Sequence, residues 1–413
     1  MPFATLATIT DTASAGPFRL PLLGLLALSA AACTDVVTDL LPAGLLPQMG
    51  ASLGVPDSRI GYLVSAFAIA SAVAAVPVTA ATVRIPRRVA LIGALVGFAL
   101  CNGVTAISPS YPLTFAARLL AGVMGGALWS MLAGYAALMV PPDRRARAIA
   151  IVLAGITVAL CLGIPAGTAL AGAIGWRASF ALLGAVALVL VAWVRWAVPI
   201  ISAGRVHDRV PMRMVVSMPG IRGVLVVTFL LLTAHQAMYT YIAPFAGRTG
   251  FGRTGLVLLE FGLATACGIW LTGMVADRHL RATLCLALAL IAAGMLGLAM
   301  ASGNGAVLLA SVALWGAAFG GAPTLLQTAL IDASGPAGAD VATAMQTTVY
   351  NTGIAAGALA GGLVLAWSGA KGLPWLAMAL VTAALGTVMM ARKHAFPPGR
   401  RRQTDGLPWR PGT

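Results

Sequence analysis

The sequence predicts an all-α membrane protein: twelve transmembrane helices in two pseudo-symmetric six-helix bundles around a central cavity. Three observations carry that expectation. The first is composition: of 413 residues, 60% are hydrophobic and 9% charged, with a mean hydropathy of +0.94. A soluble globular chain carries about 25% charged residues, and a chain this apolar could not cover its own surface in water. The second is the regular spacing of long apolar runs. The third is a repeat that relates one half of the chain to the other.

A helix that crosses a bilayer needs about 20 mostly apolar residues. Twelve segments qualify: 20–46, 60–82, 89–107, 112–140, 148–173, 178–198, 221–246, 254–275, 282–301, 306–331, 340–367 and 374–391. We number them spans 1 to 12. The breaks between them carry turn residues, as in SPSYP at 108–112, PPDRR at 141–145 and SGPAGAD at 334–340.

Basic residues orient the spans. One set of connections holds 20 of the 26 Lys and Arg residues, running from Arg19 through Arg84, Arg87 and Arg88 to the tail beginning at Arg392. The alternate set holds five: Arg59, Arg177, Arg248, Arg253 and Lys371. The last, Arg118, lies inside span 4. Cytoplasmic connections carry the excess of positive charge. The bias therefore predicts a multi-pass protein of a bacterial inner membrane with both termini in the cytoplasm. The basic tail, 392–413, is expected to hold anionic lipid.

The net charge of +15 raises the possibility of a nucleic-acid partner. The arginines sit in short clusters between apolar runs rather than along one face, so none is expected. The five cysteines, at 33, 101, 161, 267 and 285, all lie in apolar runs without metal-ligand spacing. Neither a disulfide nor a metal site is expected. Leu25–Ala32 before Cys33 has a trace of a lipoprotein signal, but the apolar run continues past Cys33, and an uncleaved span 1 is the expectation.

The segment 199–220 is the longest polar connection and divides the chain into six spans and six. The expected organisation is a 1–19 N-terminal segment, a 20–198 bundle, the 199–220 linker, a 221–391 bundle and the basic tail. The halves echo each other. Gly163-Ile-Pro-Ala-Gly167 in span 5 matches Gly353-Ile-Ala-Ala-Gly357 in span 11, an offset of 190. Arg84 and Arg88 before span 3 match Asp277 and Arg281 before span 9, an offset of 193. Two six-span halves joined by a cytoplasmic loop is the organisation of a rocking transporter with its site between the halves.

Four stretches make the chain resemble the major facilitator superfamily, in its twelve-span drug:proton antiporter branch and nearest its sugar, arabinose and chloramphenicol efflux-type exporters. Thr38-Asp39 followed by Gly44-Leu-Leu-Pro47 is similar to the acid and "GLLP" ending of span 1 in those exporters. Arg118-x-x-x-Gly122 is similar to the intramembrane arginine motif of span 4. Gly155 with Gly163-Ile-Pro165-Ala-Gly167 is similar to the span 5 motif that marks exporters. Gly273-Met-Val-Ala-Asp277-Arg278-His-Leu-Arg281 matches the family's cytoplasmic loop motif. The first-half copy of that loop keeps Ala80, Arg84, Arg87 and Arg88 but lacks its acid. The resemblance implies alternating access, a small-molecule cargo, protons as the coupled ion, no cofactor, and a monomer.

Away from the span ends, five ionisable residues fall inside the spans: Asp35, Asp39, Arg118, His235 and Glu260. Such residues are costly in a bilayer and usually functional. Asp39 lies about seven residues below the outer end of span 1, roughly 10 Å, and Arg118 about six below that of span 4, roughly 9 Å. The two depths match. A guanidinium favours the charged form of a nearby carboxyl, while desolvation favours the neutral form. Asp39 is thus expected to carry the proton with Arg118 as its charge partner, a role the resemblance also implies. The alternative is a fixed structural pair. Asp35, one turn deeper on the same face, is either a second carrier or cation site, or an acid hydrogen-bonded to Thr34, Thr38 or a neighbouring helix. Glu260 is either a protonation site or outer gate, or an acid reaching Arg253 or Arg248 at the rim.

His235 lies mid-span in TAHQAMYTYIAP (233–244). It is either part of proton coupling or a helix–helix hydrogen bonder. Gln236, Tyr239 and Tyr241 form a polar aromatic group in span 7 suited to a cargo cavity. Trp129, Trp315, Gln327 and Asn351 are further cavity candidates. Gly155, Gly163 and Gly167 of span 5, with their counterparts in span 11, let helix backbones approach, and Pro165 bends span 5. Gly273, Asp277, Arg278 and Arg281 are expected to latch the inward side.

An integral membrane enzyme finds no support. The sequence has no paired metal ligands and no phosphate-binding Gly-x-x-x-x-Gly-Lys loop. Proton-coupled export is the expected function. A proton-independent uniporter or importer of the same fold is the alternative.

Overall fold

The computed structural model describes residues 20–82, 85–141, 144–200, 212–301, 304–391 and 395–396, apart from the side chains of 75–76, 79–82, 146, 212, 275–278, 336–337 and 340. The expectations placed on Arg84, Asp277, Arg278 and the tail from Arg392 lie outside the described residues. Among the described residues, eleven helical segments are long and apolar enough to cross a membrane. The helix Asp57–Thr82, 26 residues long, supplies the twelfth member of the bundle.

Span 1 is the helix Leu22–Leu53, which corrects the sequence-based end at residue 46. Pro42 and Pro47 both lie inside it, and the stop is Gly54, in the left-handed region at φ 64°, whose N–H caps the Gly50 carbonyl. Spans 3 and 4 are Arg87–Ile107 and Tyr111–Leu138. Span 5 runs from Arg145 to Val158, passes through a π-helical turn at Ala159–Gly163, and continues as Ile164–Ile174. The wide turn sits directly before Pro165, which has no N–H for an α-helical bond and would press its ring on the carbonyl four residues back. Span 6 is Trp176–Ala197.

After a short linker helix, Met212–Ser217, span 7 begins. It is not continuous: Ile221–Tyr239 breaks at Thr240 and Tyr241 before Ile242–Arg248. Pro244 accounts for the break, since its ring and missing N–H act on the carbonyl of Thr240. Spans 8 and 9 form one run, Thr254–Met300, bent at the non-helical His279. Spans 10 and 11 form another, Gly305–Ser368, bent at Gly335, where φ is 64°. Span 12 is Leu373–Met390.

Short connections make successive spans antiparallel. Both ends of the described chain therefore lie on one face, here the terminal face. Each half packs alike. In the first, a Cβ on Gly155, Gly163 or Gly167 would strike Ser29, Val37 or Leu41, so the span 5 glycines seat that helix on span 1. In the second, Gly353, Gly357 and Gly361 seat span 11 on span 7, against Leu232, Thr233 and Ala237. The arginines of the loop repeat also do equivalent work. Arg88 donates to the Val198 and Arg195 carbonyls at the end of span 6, at 3.2 and 3.4 Å. Arg281 donates to the Met389 carbonyl at the end of span 12, at 3.5 Å.

The halves meet near the face opposite the termini. The Ser65 hydroxyl of span 2 donates to the Ala355 carbonyl of span 11 at 3.1 Å. The Cys161 thiol of span 5 donates to the Gly262 carbonyl of span 8 at 3.0 Å. Tyr241 donates to the Ala358 carbonyl at 2.6 Å and lies against Gly61 of span 2 and Gly362 of span 11. Core packing tells the same story. One apolar core joins Leu40, Leu45, Met49, Ile60 and Val64 to the second half, while Leu25, Leu28, Phe67, Leu91, Phe98 and Leu190 belong to a separate core of first-half residues alone.

Candidate functional site

Two clusters gather the ionisable and polar candidates. The first lies between spans 1, 2 and 4. Arg118 is 1% exposed, and one might expect a carboxylate to grip it. It does not. Nη1 donates to the Thr38 carbonyl at 2.6 Å and Nη2 to the Asp39 carbonyl at 3.0 Å. The guanidinium also stacks on Phe67, 4.8 Å from the ring centroid. The Asp39 carboxylate stands 3.9 Å away, within ion-pair reach but beyond a hydrogen bond. A paired arginine and carboxylate ordinarily make short, often bidentate bonds. Here backbone and ring hold the cation, and Asp39 Oδ1 is buried with no hydrogen-bond partner.

Asp35, one turn away, is also buried and its Oδ1 has no partner. Neither neighbouring threonine hydroxyl donates to it. Thr34 donates to the Ala30 carbonyl at 2.9 Å, and Thr38 accepts from Asn102 Nδ2 at 3.3 Å. Gly125 of span 4 makes the room: a Cβ there would lie 2.8 Å from Asp35 Oδ1 and 2.7 Å from the Phe67 ring. Gly125, Phe67 and Asn102 were absent from the sequence-based candidates. The spacing Gly122-x-x-Gly125-Gly126 was the available signal. Span 1 continues 14 residues past Asp39 to Leu53, while Arg118 lies seven residues into span 4, so the two helices end at different heights although the two side chains meet.

The second cluster lies in the other half, where His235 forms the hub of an aromatic group. Its ring stacks on Phe319 with centroids 3.8 Å apart and planes within 7°. Tyr239 and Trp315 lie at 5.3 Å and Phe261 at 5.6 Å. His235 Nδ1, the Tyr239 hydroxyl and Trp315 Nε1 are all buried without a hydrogen-bond partner. Each such group costs about 1–3 kcal/mol in a dry setting. Phe261 and Phe319 were not singled out from sequence, because a phenylalanine in a membrane span looks the same whether it faces lipid or a neighbour.

The remaining candidates are dispersed. Gln236 donates to Thr240 Oγ1 at 2.9 Å beneath Gly357 of span 11. Tyr241 sits in the contact between halves. Asn351 donates to its own helix, at the Thr347 carbonyl, 3.1 Å away. Trp129 is half-buried against the first-half core and Gln327 is exposed. A Cβ on Gly273 would meet nothing within 4 Å. Glu260 lines a shallow apolar cleft of about 390 Å³ with Phe251, Leu256, Leu259, Leu263, Ala264 and Leu309. Among the described residues it pairs with neither Arg248 nor Arg253, and its Oε2 is buried without a partner. Also among the described residues, no three His, Cys, Asp or Glu side chains gather as a metal site requires.

A model of the Major Facilitator Superfamily matches residues 25–259. A chloramphenicol resistance protein of Streptomyces lividans is 32% identical over 371 residues, which cover 87% of this chain and 93% of the relative. A probable sugar efflux transporter of Mannheimia succiniciproducens is 26% identical over 79% of this chain and 83% of its own length. The inner membrane transport protein YdhP of Escherichia coli K12 is 31% identical, covering 83% of this chain and 88% of its own length. Among solved structures, a bacterial homologue of the human lysosomal transporter Spinster superimposes with a TM-score of 0.71 at 16% identity, covering 92% of this chain and 98% of that one.

Proposed function

This chain belongs to the Major Facilitator Superfamily, and we propose that it is a proton-coupled exporter of a small lipophilic drug or sugar-like molecule. Membership makes it a multi-pass membrane transporter of small molecules rather than an enzyme. Relatives named for chloramphenicol resistance and for sugar efflux support the outward direction. The 20-to-5 distribution of basic residues supports a bacterial inner membrane with the terminal face in the cytoplasm. With that sidedness, the contacts between the halves seal the outer end.

The observation that carries the proton reading is the unlocked pair between span 1 and span 4. Asp39 lies 3.9 Å from a guanidinium that is already held by two carbonyls and a ring. The arginine therefore keeps its position whether or not Asp39 is charged. Its field favours the charged carboxylate, and burial without hydrogen bonds favours the neutral acid. Protonation can then follow whichever aqueous phase the site meets. A static structural pair would instead place the carboxylate in short contact. Asp35, 8% exposed and unpartnered, is positioned to accept a second proton or a cationic group. Rocking of the halves exchanges the sealed end, and the cargo moves one way as protons move the other.

The test is proton release from everted vesicles carrying the wild-type protein, across a panel of drugs and sugars. A compound that collapses a preformed pH gradient only when the protein is present supports antiport and identifies the cargo. Transport of a cargo that persists unchanged once the proton gradient is abolished would replace antiport with uniport.

A further inference from the structure

We propose that the aromatic cluster around His235 is the cargo-reading wall of the second half, and that it takes an uncharged, ring-bearing molecule carrying hydrogen-bond acceptors. This rests on the transport reading above and narrows its substrate class.

Packing alone does not account for this cluster. His235, Tyr239, Phe261, Trp315 and Phe319 come from spans 7, 8 and 10 and stack at 3.8–6.4 Å. Three of the five carry polar atoms, and His235 Nδ1, the Tyr239 hydroxyl and Trp315 Nε1 are buried without partners. Phenylalanine at 239 or leucine at 235 would fill a purely structural core without leaving a donor or acceptor stranded. The stranded atoms therefore have partners in another arrangement of the molecule. The position of the cluster shows which one. Phe261 precedes Gly262, whose backbone presses on Leu160 and Cys161 of span 5 across the contact between the halves. Separation of spans 5 and 8 uncovers the cluster.

Its chemistry defines the occupant. Flat rings offer stacking faces to a planar group or to the C–H face of a sugar ring. The Trp315 N–H can only donate and the Tyr239 O–H donates readily, so the occupant supplies acceptors such as carbonyl, nitro, ether or hydroxyl oxygens. No charge enters the cluster. Glu260 faces the cleft with Leu256 and Leu263, and Asp35 and Asp39 belong to span 1 of the other half. An uncharged acceptor-bearing cargo satisfies the Trp315 and Tyr239 donors, whereas a cation would gain attraction to the ring faces but would find no carboxylate in the cluster and would leave those donors unpaired.

The experiment measures equilibrium binding to the purified full chain in lipid nanodiscs. The probes are chloramphenicol (neutral, aromatic, rich in acceptors), an uncharged pyranoside, and tetraphenylphosphonium as a ring-bearing cation. Wild type is expected to bind at least one neutral probe. Tyr239→Phe and Trp315→Phe are each expected to weaken it about tenfold, the value of one well-made hydrogen bond. The melting temperature of ligand-free Tyr239→Phe is expected to hold or rise, because a stranded hydroxyl is removed. Unchanged affinity in both variants, a fall in melting temperature with Tyr239→Phe, failure of both neutral probes to bind, or equal losses for the cation would each overturn the proposal. Neutral binding that depends on Tyr239 and Trp315 but releases no protons would sink antiport and leave this site standing. Proton-coupled transport indifferent to both substitutions would do the reverse.

Discussion

Gly262→Ala tests whether the contact between spans 5 and 8 controls the state of the molecule. A Cβ at 262 would lie 2.7 Å from the Cys161 Cα and 2.9 Å from the Leu160 carbonyl carbon, and would overlap the Leu160 oxygen. Ordinary contact begins at 3.4 Å, so two helix backbones must part by about 0.7 Å. Backbone cannot rotate aside as a side chain can, and overpacking of this kind costs about 1–3 kcal/mol. The cost falls only on the arrangement in which the spans touch. It therefore shifts the closed-to-open ratio about 5- to 150-fold. The reporter is already in place, since Cys161 is 8% exposed and its thiol donates to Gly262. With Cys33, Cys101, Cys267 and Cys285 replaced by alanine, Gly262→Ala is predicted to speed maleimide labelling of Cys161 at least fivefold. Gly155→Ala is the control. It creates a comparable backbone overlap with Ser29, but inside the first half. It should lower the melting temperature without raising the labelling rate. Equal labelling of Gly262→Ala and wild type would refute the reasoning.

Two further substitutions probe the first cluster and the contact of span 7 with span 11. Arg118→Lys replaces a fork that bridges two carbonyls and stacks on Phe67 with a single ammonium. Hydrogen bonds to a charged group contribute about 1.5–3 kcal/mol each, so the melting temperature should fall, and proton-coupled transport should drop at least tenfold in vesicles. Tyr241→Phe removes the bond to the Ala358 carbonyl, which ties span 7 to span 11 within the second half and contributes about 0.5–1.5 kcal/mol. The melting temperature is predicted to fall, and an unchanged value would mean that this bond does not hold span 7 on span 11.

The twelve-span pattern was legible because the lipid core imposes a minimum length on apolar runs. Span ends were less so. Pro47 reads as a stop, yet a proline can remain in a membrane helix packed against neighbours, and the true stop is the left-handed Gly54. Pro244 was visible, but its effect four residues earlier at Thr240 was not placed. In the repeat, Gly163 and Gly167 were legible as packing glycines, while their partner was not. They seat span 5 on span 1, and a different face of the same helix, through Cys161, meets the other half. Asp39 and Arg118 were found because charge inside a bilayer stands out. Phe67, Phe261, Phe319 and Gly125, which shape both clusters, did not stand out, because apolar and small residues are the background of every span.

The central claim is that Asp39 is a titrating carrier rather than half of a fixed pair, and Asp39→Asn tests it most directly. The substitution keeps the shape of the side chain and leaves the carbonyls of Thr38 and Asp39 to hold Arg118. Cargo-dependent proton release is measured from everted vesicles, together with the melting temperature of the purified variant. Proton release should be abolished while the melting temperature changes little, since the 3.9 Å pair makes no hydrogen bond. Full proton release from Asp39→Asn would contradict the account, as would a large loss of stability.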